Sequence, residues 1–188
     1  MKFSTVVALA ALSFAAPVWS AGGDAAAGQT KSAVCAACHG LDGNSVDPQY
    51  PKIAGQHAEY SAQQLALFKS GKRMNPIMLG MTATLSEQDM LDLAAYFATQ
   101  QAKPALADEA LVATGQALYH NGDAKRGIPA CMACHGPTGR GNPASRYPAI
   151  ASQHAQYSAD LLRRFRGGAV YGDESDANAK IMSQVAAT

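Results

Sequence analysis

Two short strings decide how this chain is organised: Cys35-Ala-Ala-Cys38-His39-Gly40 and Cys131-Met-Ala-Cys134-His135-Gly136. They begin 96 positions apart and contain all four cysteines of the 188-residue sequence. A second shared block follows each string, reading YPKIAGQHAEYSAQQLALFKSG in the first half and YPAIASQHAQYSADLLRRFRGG in the second. Because both blocks recur in the same order, the sequence indicates the duplication of a whole domain.

The spacing Cys-x-x-Cys-His is typical of covalent c-type haem attachment. Each thiol can add to a vinyl group of the porphyrin, and the adjacent histidine can donate an imidazole nitrogen to the iron. Zinc ribbons would need a second cysteine pair nearby, thioredoxin-like pairs need a βαβ setting, and structural disulfides would not need the repeated histidine. The sequence therefore predicts two covalently bound haem c groups, attached through Cys35, Cys38, Cys131 and Cys134, with His39 and His135 as iron ligands.

The sixth iron ligand decides between electron transfer and reaction with small molecules. Ile77-Met78 aligns with Ile181-Met182, and Met182 is the only methionine after Cys134. Met78 and Met182 are therefore the predicted ligands, and Met81, which faces a valine in the second half, is the alternative to Met78. A thioether ligand raises the reduction potential relative to a second histidine.

Two further repeated features surround these candidate ligands. His57 and His154 occupy matching places and are alternative sixth ligands, although each stands at a helix start, where a polar residue is ordinary. Pro51 and Pro148 follow the iron-binding histidines by about a dozen residues. Their carbonyls are candidates to accept the second N–H of the imidazole, which must donate to some group; otherwise these prolines only end a loop.

Helical patterns account for the rest of each half. Residues 57–70 form a predicted helix with Gly71 beyond its end, and Ser86 caps a second helix with an acidic first turn. The apolar face of that second helix comprises Leu85, Met90, Leu93, Ala94 and Phe97. A shorter helix carrying Gly28 or Gly115 precedes each cysteine string, and residues 120–127 are an insertion expected to form a surface loop. Since no long alternating run indicates a sheet, the predicted fold class is all-α.

The expected domain boundaries follow from these patterns. Residues 1–20 have the charged start and short apolar core of a secretory signal peptide, with an uncleaved N-terminal anchor as the alternative. The first domain spans 21–101, a proline-containing linker 102–108, and the second domain 109–188. The first domain continues 23 residues beyond Met78, but only 6 residues follow Met182. We therefore expect the second domain to be C-terminally truncated, without its last helix.

The charge of the chain bears on its partners, and the size of its domains bears on what stabilises them. Without residues 1–20 the chain carries 14 basic and 14 acidic side chains, and this balance gives no indication of a nucleic-acid partner. Two domains of this size have thin cores, and such domains often depend on a bound cofactor.

The duplicated Cys-x-x-Cys-His-Gly strings, the Tyr-Pro-x-Ile-Ala-x-Gln-His blocks and the Ile-Met segments resemble the cytochrome c4 family of bacterial dihaem cytochromes over nearly all of 22–188. The resemblance implies two tandem class I cytochrome c-like domains, the second lacking its C-terminal helix. It also implies the ligand pairs His39 with Met78 and His135 with Met182, with Pro51 and Pro148 as the orienting carbonyls. Family members are periplasmic, and their two haems face each other across the domain interface.

The function that this resemblance implies is that of a periplasmic dihaem electron carrier with no substrate turnover of its own. Such a carrier shuttles single electrons between respiratory redox proteins, for example towards a membrane-bound oxidase or reductase, through small and transient encounters. One alternative is a haem subunit of a dehydrogenase such as flavocytochrome sulfide dehydrogenase. The other is a dihaem cytochrome c peroxidase, which would need an exchangeable iron site.

Overall fold

A computed structural model describes residues 22–173 and 175–187, so the predicted signal peptide lies outside the described residues. Within these ranges the chain is helical and has no β-strand, only two isolated β-bridges. The α-helices are α1 (Ala25–Lys31), α2 (Ala36–His39), α3 (Ala58–Lys69), α4 (Pro76–Thr82), α5 (Glu87–Ala98), α6 (Glu109–Asn121), α7 (Met132–His135), α8 (Ala155–Arg166) and α9 (Ala177–Ala186). The all-α prediction is confirmed.

Helices α3 and α5 form where the sequence predicts them. Helix α3 lies between His57 and Ser70, and Gly71 follows it with a φ of +75°, a conformation that favours glycine. At the start of α5, the Ser86 hydroxyl accepts a hydrogen bond from the Asp89 N–H (3.1 Å) and the Asp89 carboxylate accepts one from the Ser86 N–H (2.9 Å). This reciprocal pair satisfies two backbone donors that a helix start otherwise leaves free.

The core of the first half forms where α1 and α3 pack against α5. The apolar face predicted for α5 is buried at Met90, Leu93, Ala94 and Phe97. Gly28 of α1 lies directly on α5, because a Cβ placed there would be 2.0 Å from the Asp92 carbonyl oxygen. The lack of a side chain at this position is what allows the two helices to approach so closely.

The second half is built on the same plan but buries less. Helices α8 and α9 pack together as α3 and α4 do. Helix α6, the counterpart of α1, buries no residue, and its Leu111 is 64% exposed. In residues 175–187 no helix follows α9, so within the described chain α6 has no equivalent of α5 to pack against.

The insertion before the second cysteine string is only partly a loop. Helix α6 continues through Asn121, so the prediction of a surface loop was wrong for its first two residues. His120 is half-buried, with its Nδ1 3.2 Å from the Met132 sulfur. The true loop follows, closed by a β-bridge between Asp123 and Ile128.

No helix forms between Ala98 and Glu109, the stretch that contains the predicted linker. It follows the surface of the first half, where the Lys103 N–H donates to the side-chain oxygen of Asn44 (2.7 Å) and the Lys52 ammonium donates to the Lys103 carbonyl (2.7 Å). Among the helices of residues 22–173 and 175–187, none combines the length and the apolar character needed to cross a bilayer.

Candidate functional site

Both cysteine strings adopt the same local structure. The first cysteine caps a one-turn helix, α2 or α7, and the histidine N–H closes the turn on the carbonyl of that cysteine at 3.0 Å in each half. Gly40 and Gly136 end the turns with φ of +79° and +76°. A Cβ on Gly40 would lie 2.8 Å from the Asn44 carbonyl oxygen. The glycine after the histidine is therefore part of the motif, because the chain must turn there in a conformation that L side chains rarely adopt.

The two histidines of these strings are held in equivalent environments. His39 and His135 are each 8% exposed. The Nδ1 of His39 lies 2.8 Å from the Pro51 carbonyl oxygen, and that of His135 lies 2.9 Å from the Pro148 carbonyl oxygen. Because a carbonyl only accepts, each Nδ1 carries the hydrogen and donates it. In the neutral imidazole with its hydrogen on Nδ1, the lone pair is on Nε2, which is then the nitrogen able to bind a metal.

Burial shifts the pKa of His39 and of the first cysteine in each string. Burial lowers the pKa of His39 because it disfavours the charged imidazolium, and the hydrogen bond to the Pro51 carbonyl acts in the opposite direction. Burial likewise raises the pKa of the Cys35 and Cys131 thiols. All four cysteines are half-buried and unpaired with one another. No group of three or more His, Cys, Asp or Glu side chains in the described ranges could hold a metal ion, so zinc has no ligand set there.

The candidate methionines lie on matching helices. Met78 is half-buried in the first turn of α4, where its N–H donates to the Asn75 side chain (3.1 Å) and its carbonyl accepts from the fully buried Thr82 hydroxyl (2.8 Å). Met182 is half-buried in α9, the counterpart of α4. Met81 is 38% exposed on α4. The backbone of Met78 is therefore fixed at both its N–H and its carbonyl.

These residues fit a haem group. Each half offers two thiols one helical turn apart, a buried imidazole whose Nδ1 donates to a proline carbonyl, and a thioether on a separate helix. Large apolar side chains flank the cysteine and methionine segments of the first half and are exposed to solvent. They are Val34, Leu41, Val46, Ile77 and Leu79. Exposed apolar side chains at these positions are available to cover an apolar porphyrin ring attached to the neighbouring cysteines.

Two glutamines, Gln56 and Gln153, join the two halves at the segments that follow Pro51 and Pro148. The sequence alone assigned them no role. The Gln153 side chain accepts from the Lys52 N–H and donates to the Lys52 carbonyl, both at 2.9 Å. Reciprocally, the Gln56 side chain accepts from the Ala149 N–H (3.0 Å) and donates to the Ala149 carbonyl (2.9 Å). The only sequence indication of this interface is the repeated Gln-His pair, which by itself says nothing about what the side chains contact.

The two histidines of those pairs differ in their side-chain contacts. The Nε2 of His154 lies 3.0 Å from the Ser45 carbonyl oxygen and 3.1 Å from the Ser45 hydroxyl, so it carries the hydrogen and donates across the interface. The Nε2 of His57 is buried and has no hydrogen-bond partner. Neither observation places these side chains beside a cysteine string as sixth ligands.

Arg73 is a further interface residue that the sequence did not reveal. It is 7% exposed, and its guanidinium donates to the Gln64 side chain (2.6 Å) and to the Tyr157 hydroxyl (3.0 Å). It also lies over the rings of Phe68 and Tyr171, at 4.6 and 4.7 Å from their centroids. Tyr157 and Tyr171 belong to the second half, so this cation of the first half holds both halves together.

Comparison with known proteins agrees with this geometry. The family model described as Cytochrome c matches residues 25–101 and again 112–186. Cytochrome c4 of Pseudomonas aeruginosa is 47% identical over 167 residues, which cover 89% of this chain and 82% of that protein. The thiosulfate dehydrogenase electron acceptor of Thiomonas intermedia is 36% identical, covering 88% of this chain and 77% of that protein.

Among solved structures, reduced recombinant cytochrome c4 from Pseudomonas stutzeri superposes with a TM-score of 0.83 at 43% identity, covering 88% of this chain and 90% of that one. The two cysteine strings therefore carry two covalent haem c groups, and the protein transfers electrons to and from redox partners without being an enzyme. With two cytochrome c domains in tandem and this identity over most of its length, the chain belongs to the cytochrome c4 family.

Proposed function

We propose that this chain is a periplasmic dihaem electron carrier that passes single electrons between respiratory redox proteins, for example towards a membrane-bound oxidase or reductase. The observation that carries the proposal is the buried histidine–proline unit, which occurs once in each half beside a reciprocal interface. Each haem, when bound, supplies a one-electron couple between ferrous and ferric iron. Two such sites across one interface would let an electron move within the molecule.

The proposed iron ligands are His39 with Met78 and His135 with Met182. The carbonyls of Pro51 and Pro148 orient the imidazoles, since each accepts the Nδ1 hydrogen and so aims Nε2 away from the proline segment. A neutral, buried imidazole needs no proton release to bind iron at neutral pH. A methionine in the sixth position closes the iron to small molecules, as a carrier requires.

The proposed compartment and architecture rest on the sequence. Residues 1–20 act as a signal peptide that exports the chain, and the two haem domains occupy 21–101 and 109–188 with 102–108 between them. Covalent attachment suits an exported carrier, because thioether bonds keep the cofactor from being lost in a dilute compartment.

A spectroscopic redox titration of the protein purified from the periplasm tests this proposal. We expect two covalently bound haems that titrate in one-electron steps and show the spectrum of methionine ligation, and a reduced form that binds carbon monoxide poorly at both irons. A single haem or histidine–histidine spectra would overturn the ligand assignment. Ready binding of carbon monoxide to either iron would instead favour a peroxidase.

A second candidate is the role of electron acceptor for a dehydrogenase. It is favoured by the 36% identity to a protein described as a thiosulfate dehydrogenase electron acceptor, which covers 88% of this chain. Anaerobic mixing of the oxidised protein with a purified thiosulfate dehydrogenase and thiosulfate separates the candidates. Rapid reduction of both haems only when all three are present would support the acceptor role, and no reduction would contradict it.

A further inference from the structure

The histidine of the first cysteine string is linked to the second half through very few atoms. His39 donates its Nδ1 hydrogen to the Pro51 carbonyl at 2.8 Å. The next residue along the chain, Lys52, has both its backbone N–H and its carbonyl bound by the Gln153 side chain at 2.9 Å. The peptide segment that orients His39 is therefore held in place by a side chain of the other half.

The same linkage runs in the opposite direction. His135 donates to the Pro148 carbonyl at 2.9 Å, and the next residue, Ala149, is bound at its N–H and its carbonyl by the Gln56 side chain. Both glutamine side chains are fixed by a further contact, because each Oε1 also accepts the N–H of the histidine that follows it, at 3.0 Å. A side chain held on three sides transmits a displacement instead of absorbing it by changing rotamer.

From this geometry we propose that Gln56 and Gln153 are positioning residues, each of which sets the hydrogen bond of the iron-bound histidine in the opposite half. This inference rests on the proposed ligation of iron by His39 and His135. A strong bond from the imidazole N–H to a carbonyl raises the basicity of the ligand and so favours ferric iron. Loosening the carbonyl therefore raises the reduction potential of the haem in the other half.

The coupling is unequal in the two directions. His154 donates to Ser45, whose hydroxyl in turn donates to the Tyr50 carbonyl at 2.7 Å, directly before Pro51. The Tyr50 ring also meets the His39 ring edge-on, with centroids 6.4 Å apart. The first histidine is thus supported by two contacts from the second half, one through Gln153 and one through His154.

The reverse support is incomplete. Counted from the cysteine strings, the position that matches Ser45 is Gly141. Gly141 has a φ of +75°, and a Cβ there would lie 2.4 Å from the Tyr147 carbonyl oxygen, so no hydroxyl-bearing side chain fits. The Nε2 of His57, the counterpart of His154, is buried and has no hydrogen-bond partner. Among the described residues of the first half, Gln56 is the one that contacts the peptide segment after Pro148 and so supports the second histidine.

The test measures each haem separately in the full-length dihaem protein. Gln153→Ala and Gln56→Ala are compared with wild type by spectroelectrochemical titration and by NMR of the haem methyl groups, assigned through the neighbouring cysteines. We expect Gln153→Ala to raise the potential of the haem on Cys35 and Cys38, and Gln56→Ala that of the other haem. The expected change in the reduction equilibrium is about threefold to tenfold, the upper value being about 59 mV for one electron.

Lys72→Ala is the matched control, because Lys72 pairs with Asp173 across the interface but contacts neither proline segment. It should leave both potentials and both sets of methyl shifts unchanged. If each glutamine variant changes the haem of its own half, or changes both haems equally, the inference is wrong.

His154→Ala and His57→Ala form a second matched pair. His154→Ala should raise the potential of the first haem, whereas His57→Ala should leave both potentials unchanged because it breaks no hydrogen bond. Equal effects of the two variants would contradict the unequal coupling. If the wild-type protein itself lacks histidine–methionine ligation at either iron, the proposed function fails. If the wild-type haems have this ligation but neither glutamine variant changes the haem of the opposite half, only the positioning role is refuted.

Discussion

The buried histidines show why a proline follows each cysteine string. An iron-bound imidazole must present its second N–H to an acceptor, and a proline offers a carbonyl while its ring fixes the backbone φ. In this chain the Pro51 and Pro148 carbonyls accept at 2.8 and 2.9 Å. Because His39 and His135 are both 8% exposed, little water reaches these bonds to compete. The local structure thus prepares the imidazole for metal binding.

Met78 and Met81 can be separated by substitution, since both lie on α4 but Met78 is half-buried whereas Met81 is exposed. We expect Met78→Ala to abolish the methionine-to-iron charge-transfer band of one haem, lower the potential of that haem and let its reduced iron bind carbon monoxide. Met81→Ala, at a position 38% exposed, should keep the band and the potential. The reverse pattern in the two optical spectra would assign the ligand to Met81.

At this scale, sequence reasoning identified the residues whose chemistry is carried by a local pattern. A short repeated string predicts a role for each cysteine, for His39 and His135, and for the two prolines that follow them. Gln153, Ser45 and Arg73 could not be assigned, since their partners lie about 100 positions away and are brought near only by the docking of the two halves. A repeated Gln-His pair shows that a feature recurs, not what it contacts.

The helices that form the first core depend on one close approach. Gly28 of α1 has room for no side chain, because its Cβ would lie 2.0 Å from the Asp92 carbonyl oxygen and 2.8 Å from the Tyr96 Cβ. Its counterpart in α6, Gly115, has nothing within 4 Å. The sequence reports both as the same repeated Gly-Gln feature. The packing that distinguishes them belongs to α5, whose counterpart is absent from the described second half.

Alanine substitutions at the two glycines should therefore have opposite signs. Gly28→Ala should destabilise the protein by about 3 kcal/mol, because the backbone of α5 cannot give way cheaply. Gly115→Ala should stabilise it by about 0.5–1 kcal/mol through helix propensity alone. Urea unfolding followed by circular dichroism measures both. A destabilising Gly115→Ala would mean that α6 is covered in solution.

The contact between α1 and α5 also includes a buried carboxylate. Asp92 is 4% exposed and accepts from the Lys31 ammonium (2.6 Å), the Asp24 N–H (2.8 Å) and the Gln88 amide (2.8 Å). The Lys31 bond contributes most to lowering the pKa of Asp92, and the Asp24 and Gln88 bonds add to it. A lowered carboxyl pKa stabilises the fold above the unfolded-state pKa, and this stabilisation is lost as the pH falls through the folded-state value.

Asp92→Asn should accordingly cost about 2 kcal/mol at neutral pH, since three donors lose a charged acceptor. The difference from wild type should shrink as the pH is lowered below about 4, where the carboxyl of the unfolded chain takes up a proton while the native Asp92 carboxyl, with its lowered pKa, is still ionised. Melting temperatures of both proteins across this range measure the effect. Asp160→Asn is the control, because Asp160 forms an exposed pair with Arg163 that should contribute less than about 1 kcal/mol. A constant difference at all pH values would contradict the role of charge.

The whole molecule consists of two halves with the same plan and unequal cores. The repeat predicts this plan correctly, down to the matching helices before and after each cysteine string. It does not predict how much each half buries, since burial depends on contacts between helices. In the described chain, the buried apolar residues lie mostly in the first half. They are Ala54, Leu67, Met90, Leu93, Ala94 and Phe97, with Ala179 in the second half.

Unequal cores should appear as unequal protection of the two matching N-terminal helices. By length alone, α6 with 13 residues should be better protected from exchange than α1 with 7, because longer helices are more stable in isolation. Packing argues the opposite, since α1 is held on α5 through Gly28 and Asp24 while α6 buries nothing. Tertiary contacts contribute more to helix stability in proteins than propensity does, so packing should prevail.

We expect amide hydrogen exchange of the haem-loaded protein to show α1 protected at least about tenfold more strongly than α6, because unpacked segments open at little free-energy cost. The measurement is made at two protein concentrations tenfold apart. Equal protection at both would show that α6 is covered within one chain by a contact outside the described residues. Protection of α6 that rises with concentration would show instead that a second copy covers Leu111 and Val112, which are 64% and 48% exposed here. The first result would contradict an unpacked α6 in the monomer, and the second would limit the unpacked α6 to dilute solution. Rapid exchange of α6 at both concentrations would confirm that it is unpacked.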